Sequence, residues 1–293
     1  MKNISEMNII QIDVANICDR SCANCTRFCG HYRPEKLYFM DVDYYEKAVK
    51  SLKDFPGIIG MIGGEPTLHP HFPKLCEILN FHIKEKKRRG LWSNKGGKFR
   101  EYKKIIDRTF GHFNLNDHVS HDIYHTPILV ASEDMIRDGR ITEDEWRKYT
   151  DTCWVQTTWS ATITPKGAYF CEVAAMLHFL FDGNNGWDIE QEPAWWKKQI
   201  PEYSSQIDWA CRKCGCQLPL RPRRSSEGID DVSPSNLERL IVAGSPKIKK
   251  DKYELFAGSL DHNQIRNVSW YWIRRDGIID KCKRLRRRLF GTK

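Results

Sequence analysis

The sequence predicts an α/β protein built on a parallel sheet, with a smaller β-hairpin and helix unit behind it and a basic C-terminal extension. Three observations carry that prediction. Short apolar strands alternate with helix-like segments from about residue 8 to residue 150, and that alternation implies parallel strands joined by crossover helices. The rhythm changes at residue 152. The 293 residues, 40% apolar and 29% charged, suffice to bury one large α/β unit plus a small appendage.

Each element has a local reason. Residues 8–14 (NIIQIDV) alternate apolar and polar as a strand does and run straight into a group of cysteines. Residues 41–55 have helical apolar spacing, with Asp41 or Asp43 placed to cap them. A short apolar strand follows at 57–62, then a helix at 72–87, a strand at 90–93 and a helix at 99–108. Strands are expected at 110–115 and 127–131, and a charged helix at 143–150. From residue 152, segments 154–164 and 167–171 read as two strands joined at Pro165-Lys166-Gly167, with a helix at 172–180. Residues 182–186 are loop, 192–199 a Trp-rich helix, and 211–216 a tight turn. Residues 219–234, rich in Arg, Pro and Ser, read as a linker or extended arm. The expected division is therefore 1–151, 152–218 and 219–293.

No apolar run approaches the roughly 18 residues that span a bilayer, and the N-terminal residues lack the pattern of an export signal. A membrane span and secretion are thereby set aside, and the expected location is cytoplasmic. The chain holds eleven cysteines, and in a reducing compartment clustered cysteines hold metal or do chemistry instead of forming a disulfide framework. Two groups stand out, one at 18, 22, 25 and 29, the other at 153, 171, 211, 214 and 216. The net charge of +9 is also uneven: residues 217–293 hold 18 Lys and Arg against 9 Asp and Glu, while the first 216 balance at 29 against 29. A neutral body with a basic end suggests an acidic surface as partner, or a solvated basic helix.

Cys18-x3-Cys22-x2-Cys25 puts three thiolates on one loop directly after a strand. Thiolates select zinc or iron-sulfur clusters. A zinc site would be completed by Cys29 or His31; a cubane cluster on three cysteines would leave one iron open. One βα unit later stands Gly63-Gly64-Glu65-Pro66, a turn whose glycines allow close backbone approach and whose Glu65 carries a negative charge suited to an ammonium group.

Together, C-x3-C-x2-C and GGEP resemble the radical S-adenosylmethionine (radical SAM) superfamily. The resemblance implies a partial (β/α)6 TIM-like barrel, with a 4Fe-4S cluster on Cys18, Cys22 and Cys25. It implies S-adenosyl-L-methionine chelated to the open iron, its amino group held by Gly63, Gly64, Glu65 and Pro66. Asn94, in Trp92-Ser93-Asn94, and Asn114, in Asn114-Leu115-Asn116-Asp117, resemble the polar strand ends that reach the same cofactor. Asn24 occupies the place before the third cysteine where the family commonly has an aromatic residue.

The second group is similar to the twitch module, a shortened SPASM-like unit in which four cysteines ligate an auxiliary 4Fe-4S cluster. Cys153, Cys171, Cys211 and Cys214 match it, with one residue fewer between Gly167 and Cys171 than the family form has and with Cys216 left over. A structural zinc on the same cysteines is the alternative. An auxiliary cluster would act as electron acceptor in an oxidation, or accompany a rearrangement. A reductant such as flavodoxin or ferredoxin would be the partner.

His118, His121 and His125 have helical spacing beside Asp117 and Asp122, so Asp117 and His118 are the candidate catalytic pair for proton transfer or substrate contact. Polar surface and a second metal are the other roles such histidines take. The substrate is expected to be a small polar molecule or, with Trp270-Tyr271-Trp272 beside Arg274 and Arg275 as stacking and phosphate-binding groups, a nucleic-acid base. A non-catalytic iron-sulfur electron carrier is a third reading. The oligomeric state is left open.

Overall fold

The computed structural model describes residues 1–117, 123–158 and 160–261. Its centre is a six-stranded sheet ordered β4-β3-β2-β1-β6-β7. The strands are β1 (Ile9–Asp13), β2 (Ile58–Ile62), β3 (Arg89–Ser93), β4 (His112–Leu115), β6 (Ser160–Thr164) and β7 (Gly167–Tyr169). The first five of these are mutually parallel and β7 returns antiparallel to β6. The α/β class and the parallel sheet are thus as the alternation predicts. The order, however, places β1 in the interior between β2 and β6, whereas a barrel of six consecutive strands would leave it at an edge.

Between these strands lie α1 (Val42–Ser51), α2 (Phe72–His82) and α3 (Lys103–Thr109). The Asp41 carboxylate accepts from the Asp43 and Tyr44 backbone N–H groups and starts α1, the capping that the sequence places there. One face of the sheet, carrying Ile10, Ile12, Ile59, Met61, Leu91 and Ile163, is buried in the main core with Ala48, Val49, Leu75 and Leu79 of the helices. Alternation sends Gln11 and Asp13 to the opposite face. They pair in register with Thr162 and Ile62. All five β1 residues are buried.

Several expected elements differ. The run at 127–131 is a turn, because its backbone is bonded by side chains and loops from elsewhere: Gly215 N–H donates to Ile128 O, Ser233 N–H to Leu129 O, and Asn236 Nδ2 to Leu129 O. Apolar Ile128, Leu129 and Val130 are buried without a strand ladder. A short two-stranded ribbon stands nearby, β5 (Tyr124–His125) against β8 (Arg223–Arg224), antiparallel. Next come α4 (Ser132–Arg137) and α5 (Glu143–Asp151). The first half of the expected strand at 154–164 is instead α6 (Trp154–Thr158). The hairpin that follows extends the main sheet through β1 and is no sheet of its own. The expected Trp-rich helix is a single 3-10 turn, Trp195–Lys197, whose indoles donate to Ser51.

Beyond α7 (Glu172–Leu180) and α8 (Ser204–Cys211), the expected linker at 219–234 is ordered structure. It continues into β9 (Asp230–Val232), α9 (Pro234–Val242), α10 (Pro246–Lys249) and β10 (Tyr253–Leu255), with β10 parallel to β9. Composition misled because Arg223 is consumed by ion pairs with Asp231 (2.7 Å), Glu227 (2.8 Å) and Glu254 (2.6 Å). Among the described residues no helix is long and apolar enough to cross a membrane.

His178 on α7 is stacked on Trp209, centroids 3.9 Å apart, and among the described residues neither ring nitrogen has a hydrogen-bond partner. Burial, with Lys213 and Lys166 behind it, pushes its pKa down to about 4. The unfolded chain takes up this proton near pH 6.5 and the folded chain refuses it until about pH 4. Its contribution to stability is therefore lost as pH falls through that window, by up to about 1.4 kcal/mol per unit. Denaturant titrations of wild type and His178→Phe should show the wild type losing stability relative to the variant between pH 6.5 and 4. A gap that does not change with pH would disprove the assignment.

Candidate metal and cofactor site

The first cysteine group lies on the loop leaving β1. Cys18, Cys22 and Cys25 are half-buried and Cys29 is buried. The four thiols converge: Cys29, whose Sγ donates to Asn16 O at 3.7 Å, lies in contact with Cys18 and Cys25. That contact favours the thiolate of Cys25 and drives the Cys29 thiol up. Burial, then the neighbouring Cys25 and Cys18, pushes Cys22 up to about 12. Such crowding of potential thiolates is what a bound cation relieves.

The loop's shape requires two non-glycine residues at positive φ, Asn24 at 48° and Phe28 at 53°. Asn tolerates the left-handed region better than most residues. The Asn24 side chain also docks in both directions on Asp231: its Nδ2 donates to the carboxylate at 2.8 Å, and Asp231 N–H donates to its Oδ1 at 3.0 Å. An aromatic side chain at 24 would supply neither. His31, the histidine considered above for a zinc site, is spent: Nδ1 meets Ser245 Oγ at 2.8 Å and Nε2 meets Asp230 at 2.6 Å.

Gly63-Gly64-Glu65-Pro66 packs directly on this loop. Gly64 N–H donates to Ala15 O (2.6 Å) and Glu65 N–H to Ile17 O (2.8 Å). A Cβ at Gly64 would lie 2.2 Å from Ile17 O and 3.0 Å from Cys18 Cβ, and one at Gly63 would lie 2.6 Å from Ala15 O. The glycines therefore allow turn and cysteine loop to touch through their backbones. An ammonium, which can only donate, would be met at this turn by acceptor oxygens.

Glu65 faces inward and is completely buried. Its carboxylate accepts from Thr67 N–H and Oγ1, from Ser93 Oγ and from Asn94 N–H, at 2.7 to 3.1 Å. Burial raises its pKa against the pull of those donors. Glu65 thus holds Asn94, and Asn94 Nδ2 donates to Cys18 Sγ (3.3 Å) and to Asp19 (2.9 Å). Asn114 is half-buried within β4, opposite Trp92. By register it shares the sheet face of Asp13 and Ile62. Asp117 follows β4, its carboxylate 4.0 Å from Lys95 Nζ. His118 and His121 lie outside the described residues. His125 belongs to β5, so the helical spacing does not extend to it, and its Nδ1 meets Ala23 O at 2.7 Å on the cysteine loop.

The second group gathers Cys153, Cys171, Cys211, Cys214 and Cys216 around one cavity with apolar walls including Val155, Phe170 and Leu177. Burial, then Cys214, pushes Cys153 up to about 12. Cys171 is driven up by burial and then Cys153, and Cys211 by burial and then Cys214. Cys216, hydrogen-bonded to Cys214, is driven up likewise. Soft donors facing one another across a largely apolar cavity fit an iron-sulfur cluster in kind. Among the described residues, no group of three or more His, Cys, Asp or Glu side chains is arranged to hold a metal ion as it stands.

Sequence reasoning passed over Arg27, which ties the two groups together. Its guanidinium, 4% exposed, pairs with Asp13 of β1 at 3.0 Å and with Glu172 at 3.3 Å, and Glu172 is the residue after Cys171. Gln11 was also missed: it is fully buried on the same face as Asp13, and among the described residues neither polar atom of its amide has a hydrogen-bond partner. The signal for Gln11 was a polar residue inside a segment that has to be buried; Arg27, 14 residues beyond Asp13 on the cysteine loop, had no such local signal.

No family model and no curated protein matches the chain. Solved structures that align with it include two of BtrN. One, described as BtrN in complex with AdoMet and 2-DOIA, is 14% identical, with 71% of this chain and 88% of that chain covered and a TM-score of 0.46. The other, selenomethionine BtrN in an open conformation, is 15% identical, with 74% and 95% covered and a TM-score of 0.43.

Replacing Arg27 with Met would leave Asp13 and Glu172 buried without their cation, a loss of about 3–5 kcal/mol. Denaturant unfolding of Arg27→Met beside Arg27→Met/Asp13→Asn/Glu172→Gln should show the single variant as the less stable of the two. Equal stability would mean that the ion pairs are solvated in solution.

Proposed function

We propose that the protein is a radical SAM enzyme with an auxiliary iron-sulfur cluster. The observation that carries the reading is the backbone-to-backbone seating of the GGEP turn on the loop of Cys18, Cys22 and Cys25, since a metal loop alone has no need of that partner. In this reading Cys18, Cys22 and Cys25 hold a 4Fe-4S cluster, and the 63–66 turn receives the amino end of S-adenosylmethionine on its carbonyl oxygens. When bound, these groups supply one-electron cleavage of a sulfonium and hydrogen abstraction from the substrate. Glu65 acts at one remove, orienting Asn94 against Cys18. Gln11 and Asn114 offer hydrogen bonds on the polar face of the sheet, and Asp117 with His118 is the proton-handling pair. Four of the five cysteines of the 152–218 segment hold the second cluster, and the apolar cavity keeps water from it. The substrate is a small polar molecule, oxidised or rearranged, and the electron donor is a flavodoxin- or ferredoxin-type protein.

Anaerobically reconstituted protein should carry about eight irons and little zinc, and the Cys18→Ala/Cys22→Ala/Cys25→Ala variant about four. With dithionite the wild type should release 5'-deoxyadenosine from S-adenosylmethionine, and the triple variant should not. Stoichiometric zinc in place of iron, or full clusters without cleavage, would overturn the reading and leave a zinc protein or an electron carrier.

The basic excess favours a nucleic-acid substrate as the second reading. Residues 217–261 are nearly balanced, 8 Lys and Arg against 7 Asp and Glu, so the excess belongs to residues 262–293, outside the described residues. Binding to duplex DNA should then weaken with salt at a log-log slope of about 0.9 per phosphate neutralised. Truncation after Asp261 should flatten that slope. The absence of salt-sensitive binding to DNA or RNA would dismiss this substrate class.

A further inference from the structure

The cysteine loop is held from a distance of about 200 residues by a buried polar network. Asp230, the first residue of β9, receives His31 Nε2 at 2.6 Å and Lys247 Nζ at 2.7 Å on one carboxylate oxygen, and Asn24 N–H on the other. Lys247 also donates to the backbone carbonyl of Cys22 at 3.0 Å. Its residue is only 3% exposed, and Asp230 and His31 are 1% and 2%. Ser245, bonded to His31 Nδ1, caps the helix that carries Lys247 by accepting from Ile248 N–H. Ala23 N–H donates to Ser225 O at 3.0 Å, and the Asn24–Asp231 pair completes the contact.

A buried ammonium is costly unless its charge is used. Here one carboxylate partner is shared with His31, and the other partner is the peptide of a candidate cluster ligand. Surface salt bridges need no such burial, and Lys249 and Lys250 on the same segment remain exposed. We infer that residues 219–261 form a clamp that holds the 18–31 loop in its ligating shape, and that Lys247 is a positioning residue whose fixed positive charge beside Cys22 raises the reduction potential of the cluster bound there. The inference rests on the cluster reading of that loop. A positive charge close to a cluster favours its more negative, reduced form, so removing it shifts the potential downward.

The test compares Lys247→Met, Lys247→Arg and Asp231→Ala with wild type, all reconstituted anaerobically and matched for folding by circular dichroism. Redox titration followed by electron paramagnetic resonance should show the first cluster's potential more negative in Lys247→Met, near wild type in Lys247→Arg, and unmoved in Asp231→Ala. Asp231→Ala should instead retain less iron, because it loosens Asn24 without touching the cation. Limited proteolysis of the metal-free proteins gives a second readout. Cleavage within 18–31 should be faster in Lys247→Met and Asp231→Ala than in wild type, and this holds even if Lys247→Met binds no iron. Unchanged potential with full iron in Lys247→Met, or equal proteolysis in all the metal-free proteins, would overturn the inference. A wild type that takes up no iron on this loop would instead overturn the cluster reading.

Discussion

The architecture around both cysteine groups depends on one buried cation. Arg27 cannot leave the interior without stranding Asp13 and Glu172, and it cannot remain there without them. Asp13 belongs to the interior strand of the sheet, Arg27 to the first cysteine loop and Glu172 to the start of α7 beside Cys171. The three charges therefore set the first group relative to the second through side chains that water does not screen. Burial pulls the Asp13 carboxyl up while Arg27 and the Tyr38 hydroxyl pull it back, and Tyr38 Oη donates to it at 3.0 Å.

Around that centre the cysteine loop is shaped by contacts that are remote in sequence. The Gly63-Gly64 turn presses on it from β2, Asn94 reaches Cys18 from β3, and β9 with α10 holds it from the other end of the chain. Beside the side-chain contacts of Cys18, Asn24 and His31, these elements hold backbone atoms of the loop: Ala15 and Ile17 carbonyls, the Cys22 carbonyl, and the Ala23 and Asn24 N–H groups. A loop pinned by its backbone keeps its thiols aimed whatever the side chains of its unpinned residues are. Asn24 is not one of those: its side chain is itself tied to Asp231 in both directions.

Much of the fold was legible from local chemistry. The strands that became β1 to β4, the Asp41 cap and α1, and the hairpin turn at Pro165 to Gly167 follow from apolar period, capping and turn chemistry within a few residues. The run at 127–131 misread as a strand for a stated reason: burial and apolarity were right, but its hydrogen bonds go to Gly215, Ser233 and Asn236, which no local window contains. The 219–234 segment misread for the opposite reason, since its Arg and Asp residues look solvated until they are seen paired with one another.

For the candidate site, the sequence by itself determined the donor types, their spacing on the loop and the glycine turn one βα unit later, because these are properties of neighbouring residues. Only the tertiary structure decided that Cys29 joins the first three thiols, that Cys216 shares the second cavity, and that His31 is committed to Asp230 and Ser245. It also decided that Glu65 serves Asn94 from within and that Lys247 lies against Cys22. The physical reason is common to all of these. A hydrogen bond or ion pair in a desolvated interior is specified by which groups are brought together after the sheet forms, and spacing along the chain carries no record of that approach.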